Sequence, residues 1–265
     1  VILAGDRSVF ELGQRQAGVS WEIHETKDEH PAILGNVPGF TLVPLRTIEI
    51  NNLQIAEVSQ SGGLASLRGL DRALDLLVSN NADAILFGPF NKASLHMAGM
   101  QENDEHRYIA NYLGFKGYHS EINMLEELIT TRVTSHIALR DVADSISIDG
   151  VVNAIKLACD TQVSAGKPRP RIGVAALNPH AGDNGNFGTE EIDILIPAIS
   201  RAQDLQIDAD GPWPSDTIFL RAREGQLDAV VTMYHDQGQI AMKMMGFDRG
   251  VTIAAGLPFP IATPA

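Results

Sequence analysis

Three histidines follow three predicted β-strands and could together bind a metal ion. His136, His180 and His235 are separated by 44 and 55 residues, roughly one strand–helix unit each. The carboxyl ends of strands in an α/β sheet line a common crevice, where ligands bind. Three imidazoles converging there would hold one divalent cation and leave coordination positions open for a substrate. The alternative is three unrelated histidines that local hydrogen bonds satisfy.

Polar side chains near these histidines could orient or assist them. Asp236 and Gln237 directly follow His235, and either could fix the tautomer of that imidazole through a hydrogen bond. Lys243 could bind an anionic substrate or transfer a proton, the alternative being a solvated helix lysine. Asp216 is a second catalytic candidate, although it could also serve only as a helix N-cap.

The elements that must position these residues alternate between short apolar runs and longer amphipathic stretches, which predicts an α/β fold. The predicted helices are 63–79, 150–165 and 190–206. The predicted strands are 1–5, 84–89, 132–138, 171–177 and 228–234. The Lys-Pro-Arg-Pro stretch at 167–170 predicts either a boundary between lobes or a surface loop.

The composition narrows the class of protein. The chain has 265 residues, of which 44% are hydrophobic and 20% charged, so a folded globular protein is expected. A net charge of −13 argues against nucleic acid as a partner. A single cysteine excludes a disulfide framework and cysteine-rich metal sites. No apolar run is long enough to span a membrane and no signal peptide is evident, so a cytoplasmic location is expected.

Several motifs together resemble the PdxA family, whose best-known members are the 4-hydroxythreonine-4-phosphate dehydrogenases of pyridoxal phosphate biosynthesis. The resemblance covers essentially the whole chain. Its motifs are the segments 134–141 (TSHIALRD), 177–182 (LNPHAG), 187–193 (FGTEEID), 214–217 (PSDT), 233–238 (MYHDQG) and 256–259 (GLPF). The Asn-Pro-His and Tyr-His-Asp-Gln-Gly motifs are the most specific of these.

The resemblance implies an isocitrate-dehydrogenase-like fold with two α/β lobes over residues 1–265 and the active site in the cleft between them. It also implies a homodimer in which both subunits build each active site. The substrate would be a small hydroxy acid, oxidised at a secondary alcohol with NAD or NADP to a β-keto acid that can lose carbon dioxide. The metal ligands would be His136, His180 and His235, with zinc expected first and cobalt or magnesium as alternatives.

The chain departs from the family pattern where the substrate is expected to bind. Glu105 and His106 stand in place of a His-Thr pair that contacts phosphate, and Thr252 replaces the usual Asn. Ile261 replaces an Arg, so a bidentate phosphate donor is lost, while Glu105 adds an unfavourable negative charge. Substrate binding is assigned to Glu105, His106, Lys243 and Thr252. The alternative substrates are a sugar-acid 4-phosphate and a dihydrodiol carboxylate.

The family's N-terminal Gly-Asp-Pro-Ala-Gly-Ile-Gly segment and its cofactor-associated His-Gly-Thr-Ala segment are not found in the chain, so a fragment truncated at both ends is expected. No cofactor-binding residue is therefore assigned from the sequence. A protein that binds a metal ion and a ligand without turnover is the alternative from a different functional class.

Overall fold

The computed structural model describes residues 1–26, 39–53, 55–126, 128–246 and 249–264. The chain divides into two units, Val1–Lys116 and Gly117–Ala265. The stretch 167–170 lies inside the second unit, between a helix and a strand, so it is a loop and not a boundary. Among the described residues, no helix has both the length and the apolarity that crossing a bilayer requires.

The first unit contains a small parallel sheet and several helices. The strands of this unit are β1 (Ile2–Gly5), β2 (Ile23–Glu25), β3 (Phe40–Pro44) and β4 (Ile85–Leu86), and the first three form the small sheet. Its helices are α1 (Arg7–Ala17), α2 (Gln60–Val78), α3 (Lys92–Met97) and α4 (Glu105–Tyr112). Strand β3 lies between β1 and β2 and runs parallel to both. Helix α2 begins where the Ser59 hydroxyl accepts a hydrogen bond from the Gly62 N–H.

The second unit is built on a mixed sheet. Its strands are β5 (Ser120–Leu125), β6 (Leu128–Arg132), β7 (Ile172–Ala175), β8 (Ala209–Trp213), β9 (Ala229–Thr232), β10 (Val251–Ala255) and β11 (Ile261–Pro264). They lie in the order β11–β10–β5–β6–β9–β7–β8. The four strands from β6 to β8 in this order are parallel, whereas β5, β10 and β11 are antiparallel to their neighbours.

Helices cover both faces of this sheet. They are α5 (Val142–Ser145), α6 (Ile148–Ser164), α7 (Ile196–Asp204), α8 (Ile218–Arg223) and α9 (His235–Gly246). One buried cluster joins α6 and α7 to the sheet, and a second joins α8 and α9 to it. Neighbouring residues of β9 divide between the two, since Val231 packs in the first cluster and Val230 in the second. Burial on both faces explains why the central strands are continuous apolar runs.

Most of the predicted elements are confirmed. The helices predicted at 63–79 and 150–165 are α2 and α6, and the one at 190–206 is a π-helical turn, Glu191–Leu195, that continues into α7. The strands predicted at 1–5, 171–177 and 228–234 are β1, β7 and β9, each shorter than predicted. The α/β class is therefore confirmed.

Two strand predictions are wrong in their bounds. The strand predicted at 132–138 is β6, which ends at Arg132 because its partner β9 ends at Thr232, directly opposite. The buried strand predicted at 84–89 is reduced to β4, in which Leu86 is 77% exposed. After β6, Val133 and Thr134 still donate backbone hydrogen bonds to the Thr232 and Met233 carbonyl oxygens, but they lie beyond the regular ladder.

Candidate active site

Three adjacent parallel strands bring the three predicted histidines to one edge of the second unit's sheet. Strand β9 lies between β6 and β7. His136 follows the carboxyl end of β6, His235 that of β9 and His180 that of β7. Because parallel strands end at the same edge of a sheet, the loops that carry the three imidazoles begin side by side.

The imidazoles of His136 and His235 are direct neighbours. Their ring centroids are 5.4 Å apart and the ring planes are inclined by 40°. The buried Thr134 hydroxyl ties the two segments together, since it donates a hydrogen bond of 2.7 Å to the Met233 carbonyl oxygen. His136 has a φ of 54°, in the left-handed region, so the chain turns sharply soon after β6. Two imidazole rings thus lie side by side after adjacent strand ends.

Asp236, rather than Gln237, is the side chain that contacts the His235 imidazole. His235 Nδ1 lies 2.7 Å from Asp236 Oδ1. Gln237 instead joins two strand ends: its Oε1 accepts from the Met233 N–H at 2.7 Å, and its Nε2 donates to the Ala176 carbonyl oxygen at 2.8 Å. If Nδ1 carries the proton donated to the carboxylate, Nε2 keeps its lone pair and can bind a metal ion.

His180 lies in a turn with a left-handed backbone. Residues 180–184 all have positive φ, between 43° and 77°, and Gly182 is the single glycine among them. A left-handed conformation costs about 1–2 kcal/mol for a residue other than glycine. Tertiary contacts must therefore hold this turn, and strain of this kind is typical of functional sites.

The buried carboxylate of Glu191 supplies such contacts. Its Oε1 accepts hydrogen bonds from the backbone N–H groups of Leu177 and Asn178, at 2.9 and 2.8 Å, and its Oε2 accepts from Asn178 Nδ2 at 2.9 Å. Gly182 lies so close that a Cβ atom there would be 2.7 Å from Glu191 Oε2. This role of Glu191 is not among the predictions made from the sequence. The paired acids Glu190 and Glu191, which follow the glycine-rich turn, are the signal that could have found it.

The described residues contain no group of three or more His, Cys, Asp or Glu side chains close enough together to hold a metal ion. The His136 and His235 pair nevertheless offers two donors of the type that zinc and cobalt prefer. His180 follows the neighbouring strand and is the predicted third donor. The donor type therefore suits a divalent metal, and a complete site requires a further donor to join the pair.

Lys243 stands on α9, the helix that begins at His235. The two residues are about two helical turns apart, roughly 12 Å along the helix axis. The Lys243 side chain is exposed. A predicted substrate contact and one of the two neighbouring imidazoles therefore belong to the same rigid element.

The other predicted substrate residues lie in different units. Glu105 and His106 open α4 in the first unit, where His106 is buried and Glu105 Oε2 lies 3.8 Å from Lys92 Nζ. The lysine offsets part of the negative charge that Glu105 adds. Thr252 lies on β10 in the second unit, and its hydroxyl oxygen accepts a hydrogen bond from Asn123 Nδ2 at 3.0 Å.

Asp216 lies exposed in the turn before α8, and its alternative role as a helix N-cap is wrong. Thr217 occupies the N-cap position, and no side chain caps this helix. The catalytic role of Asp216 stays a prediction. Ile261, which stands where the family pattern has an arginine, is 1% exposed at the start of β11. Position 261 is thus part of the apolar interior in this chain.

Comparison with known proteins identifies close relatives. A protein of Pseudomonas aeruginosa is 56% identical over 212 residues, which are 79% of this chain and 63% of that protein. The D-threonate 4-phosphate dehydrogenase of Salmonella typhimurium is 42% identical over 207 residues, which are 78% of this chain and 63% of that enzyme. The matched region is thus less than two thirds of the length of these two relatives.

A solved structure is similar over almost the whole chain. The 4-hydroxythreonine-4-phosphate dehydrogenase from Klebsiella pneumoniae is 32% identical with a TM-score of 0.86, covering 99% of this chain and 79% of that one. This likeness confirms the expected isocitrate-dehydrogenase-like α/β fold. The family model described as pyridoxal phosphate biosynthetic protein PdxA matches residues 1–265. The chain therefore belongs to the PdxA family.

Proposed function

We propose that this protein is a dehydrogenase that oxidises the secondary alcohol of 4-hydroxythreonine-4-phosphate, or of a close analogue, with NAD or NADP and a divalent metal ion. The β-keto acid formed would then lose carbon dioxide. One observation carries the proposal: in a chain of this family, His136, His235 and His180 follow three adjacent parallel strands. The names of the Salmonella and Klebsiella relatives support it, because both are dehydrogenases of phosphorylated four-carbon hydroxy acids.

The proposed ligands of the metal ion are His136, His180 and His235, with zinc as the first expectation and cobalt or magnesium as alternatives. When bound, such an ion supplies positive charge that lowers the pKa of the substrate alcohol and stabilises the enolate left by decarboxylation. The Asp236 carboxylate beside Nδ1 orients the His235 ring with Nε2 as the donor atom. His180 lies in the left-handed turn that follows the neighbouring strand.

Lys243 is proposed to bind the anionic substrate and to transfer a proton. The Nζ of a lysine can donate a hydrogen bond to a phosphate or carboxylate oxygen. The same ammonium group can deliver a proton to the enolate carbon once carbon dioxide has left. Asp216 is proposed as a second group that transfers protons, and Glu105, His106 and Thr252 as further contacts to the substrate.

D-threonate 4-phosphate is the second candidate substrate. It is favoured by the 42% identity to the Salmonella typhimurium enzyme named for that substrate. The two compounds share the phosphate, the carboxylate and the secondary alcohol, and they differ in carrying an amino or a hydroxyl group at the carbon next to the carboxylate. The protein groups that face this carbon would therefore decide between them, because an ammonium and a hydroxyl differ in charge and in hydrogen-bonding capacity.

The test is an assay of NAD and NADP reduction with both phosphorylated substrates, in the presence of zinc, cobalt or magnesium and again after chelation. We expect metal-dependent turnover that is abolished in His180→Ala. His24→Ala is the matched control, because His24 lies on β2 in the first unit and is partly exposed. It should retain the activity of the unmodified protein.

The outcomes separate the candidate functions. Turnover that survives chelation or the His180→Ala change would contradict the metal-dependent mechanism. Turnover with an unphosphorylated dihydrodiol carboxylate, but with neither of the two phosphorylated substrates, would support the same reaction type on a different substrate. Metal binding without reduction of NAD or NADP on any of these compounds would favour a binding protein without turnover.

A further inference from the structure

Arg132 is a buried charged residue at the end of β6, only 3% exposed. Its guanidinium contacts three side chains. Nη1 donates to Asn123 Oδ1 at 2.9 Å, Nε donates to Ser135 Oγ at 3.0 Å, and Nη2 forms an ion pair with Glu121. Burying a charge is unfavourable unless it is paired and hydrogen-bonded, and here three partners provide this compensation.

Asn123 extends these contacts to two further elements. This side chain on β5 is 6% exposed. Its Oδ1 also accepts a hydrogen bond of 2.7 Å from Gln239 Nε2 on α9, and its Nδ2 donates to Thr252 Oγ1 on β10 at 3.0 Å. Its amide oxygen therefore receives both the arginine and the glutamine, so displacing either group affects the other.

The two ends of this chain of contacts lie on the segments that carry the neighbouring imidazoles. Ser135, which accepts from Arg132, directly precedes His136. Gln239 lies one helical turn after His235 on α9 and one turn before Lys243. We propose that Arg132, acting through Asn123, is a positioning residue that holds the His136 segment in a fixed place relative to α9, and so sets the distance between the two imidazoles. This inference rests on the proposed function only in treating those imidazoles as parts of the active site.

The planar fork of arginine is what this role requires. Lysine carries the same charge on a single nitrogen and cannot offer three donor directions in one plane. Arg132→Met should therefore move both imidazoles and weaken zinc binding about tenfold to hundredfold, the usual range for partners of metal ligands. Arg132→Lys should keep the ion pair with Glu121. It should still move both imidazoles and weaken zinc binding, because the hydrogen bonds of the fork are lost. Arg201→Met is the matched control, since Arg201 pairs with Asp149 on an exposed surface.

A double variant separates positioning from stability. Arg132→Met alone leaves the Glu121 carboxylate without its cation, which lowers the melting temperature. Arg132→Met combined with Glu121→Gln removes both charges, so it should regain much of the lost melting temperature. It should not regain zinc affinity, because the hydrogen bonds to Ser135 and Asn123 are still missing. Gln239→Ala removes only the link to α9 and covers the case in which the arginine variants do not fold.

The readouts are zinc affinity, by competition with a chromophoric chelator, and the imidazole NMR signals of His136 and His235 in the metal-free protein. Shifted signals and weakened zinc binding in Arg132→Met and Gln239→Ala, with no recovery of affinity in the double variant, support the proposal. Unchanged imidazole signals, or affinity that returns together with the melting temperature, overturn it. If the unmodified protein binds no zinc, the proposed metal site fails, and the imidazole signals still decide whether Arg132 positions the two rings.

Discussion

The contact between His235 and Asp236 determines which imidazole nitrogen is available to a metal ion. A carboxylate that accepts from Nδ1 fixes the tautomer and increases the electron density on the ring. The contact is 2.7 Å long, yet the Asp236 side chain is 73% exposed, so water competes for it. The effect of this carboxylate should therefore lie at the weak end of the range for such partners.

Asp236→Asn should lower zinc affinity about tenfold, because the amide keeps the size of the side chain and loses the charge. Chelator competition at fixed pH measures this change. Asp160→Asn is the matched control, since Asp160 forms an exposed ion pair with Lys156 within α6. Equal zinc affinity in Asp236→Asn and the unmodified protein would show that the carboxylate is not needed to orient the ring.

A second carboxylate acts on stability instead of on the site. Asp228 lies immediately before β9 and is 9% exposed. It accepts hydrogen bonds from the Arg171 backbone N–H, from the Arg171 guanidinium and from Lys167 Nζ, at 2.8 to 3.0 Å. These partners, the arginine first, hold the pKa of the Asp228 carboxyl far below its ordinary range. The carboxylate thereby joins the loop before β7 to the start of β9.

Asp228→Asn should lower the free energy of unfolding by about 2 kcal/mol at pH 7. A carboxyl whose pKa is lower in the folded state stabilises the protein above its unfolded pKa of about 3.9, and this stabilisation is lost as the pH falls towards the folded value. The difference between the two proteins should thus be full at neutral pH and shrink below about pH 4. Urea unfolding across this range measures it, and a difference that does not depend on pH would contradict the ionic explanation.

At the scale of elements, the left-handed turn at 180–184 is stabilised by local hydrogen bonds from Asn186 and Phe187 and by the Glu191 side chain, which anchors the segment before it. Four of its five residues are not glycine, so local preference opposes the conformation. Glu191 binds the two residues just before the turn through backbone and side-chain groups. Gly182 is the position where a side chain would collide with that carboxylate, since a Cβ atom would lie 2.7 Å from Oε2.

Gly182→Ala should therefore destabilise the protein by about 2–3 kcal/mol, part from the positive φ and part from displacement of Glu191. Gly185→Ala isolates the contribution of the positive φ. Gly185 also has a positive φ, but the atom nearest to a new Cβ there, Ile192 Cδ1, would be 3.5 Å away. This control should cost about 1 kcal/mol. Urea unfolding of both variants gives the difference. If the two lose equal stability, close packing against Glu191 is not what restricts position 182.

The same elements show how far the sequence can predict the structure. Helix α6 and strand β9 are predictable because burial imposes an apolar pattern on them. The end of β6 is not predictable, since Val133 and Thr134 continue a β-branched run and still donate backbone hydrogen bonds to Thr232 and Met233 beyond the regular ladder. The histidines that follow the strands can also be found from the sequence, because the apolar pattern of each strand shows approximately where it ends. The contacts of Arg132 cannot, because its partners Asn123 and Glu121 are set by the pairing of β5 with β6, which an apolar pattern does not reveal.

At the scale of the whole molecule, we expect two copies of the chain to build each proposed active site together. The family resemblance implies a homodimer whose subunits build each site together, so each site would take its three histidines from both chains. Sedimentation equilibrium should then give twice the chain mass of 28.6 kDa. A mass equal to that of one chain under assay conditions would contradict the shared site.

Mixed dimers test the same proposal through activity. If each site takes two of its histidines from one subunit and one from the other, co-expressing pairs of the inactive variants His136→Ala, His180→Ala and His235→Ala should give an informative pattern. A pair regains one intact site when the two altered histidines reach a site from different subunits, and none when both come from the same subunit. Two of the three pairs should thus recover part of the activity, and the silent pair identifies the ligands that one chain supplies. Failure of all three pairs would place each complete site within a single chain.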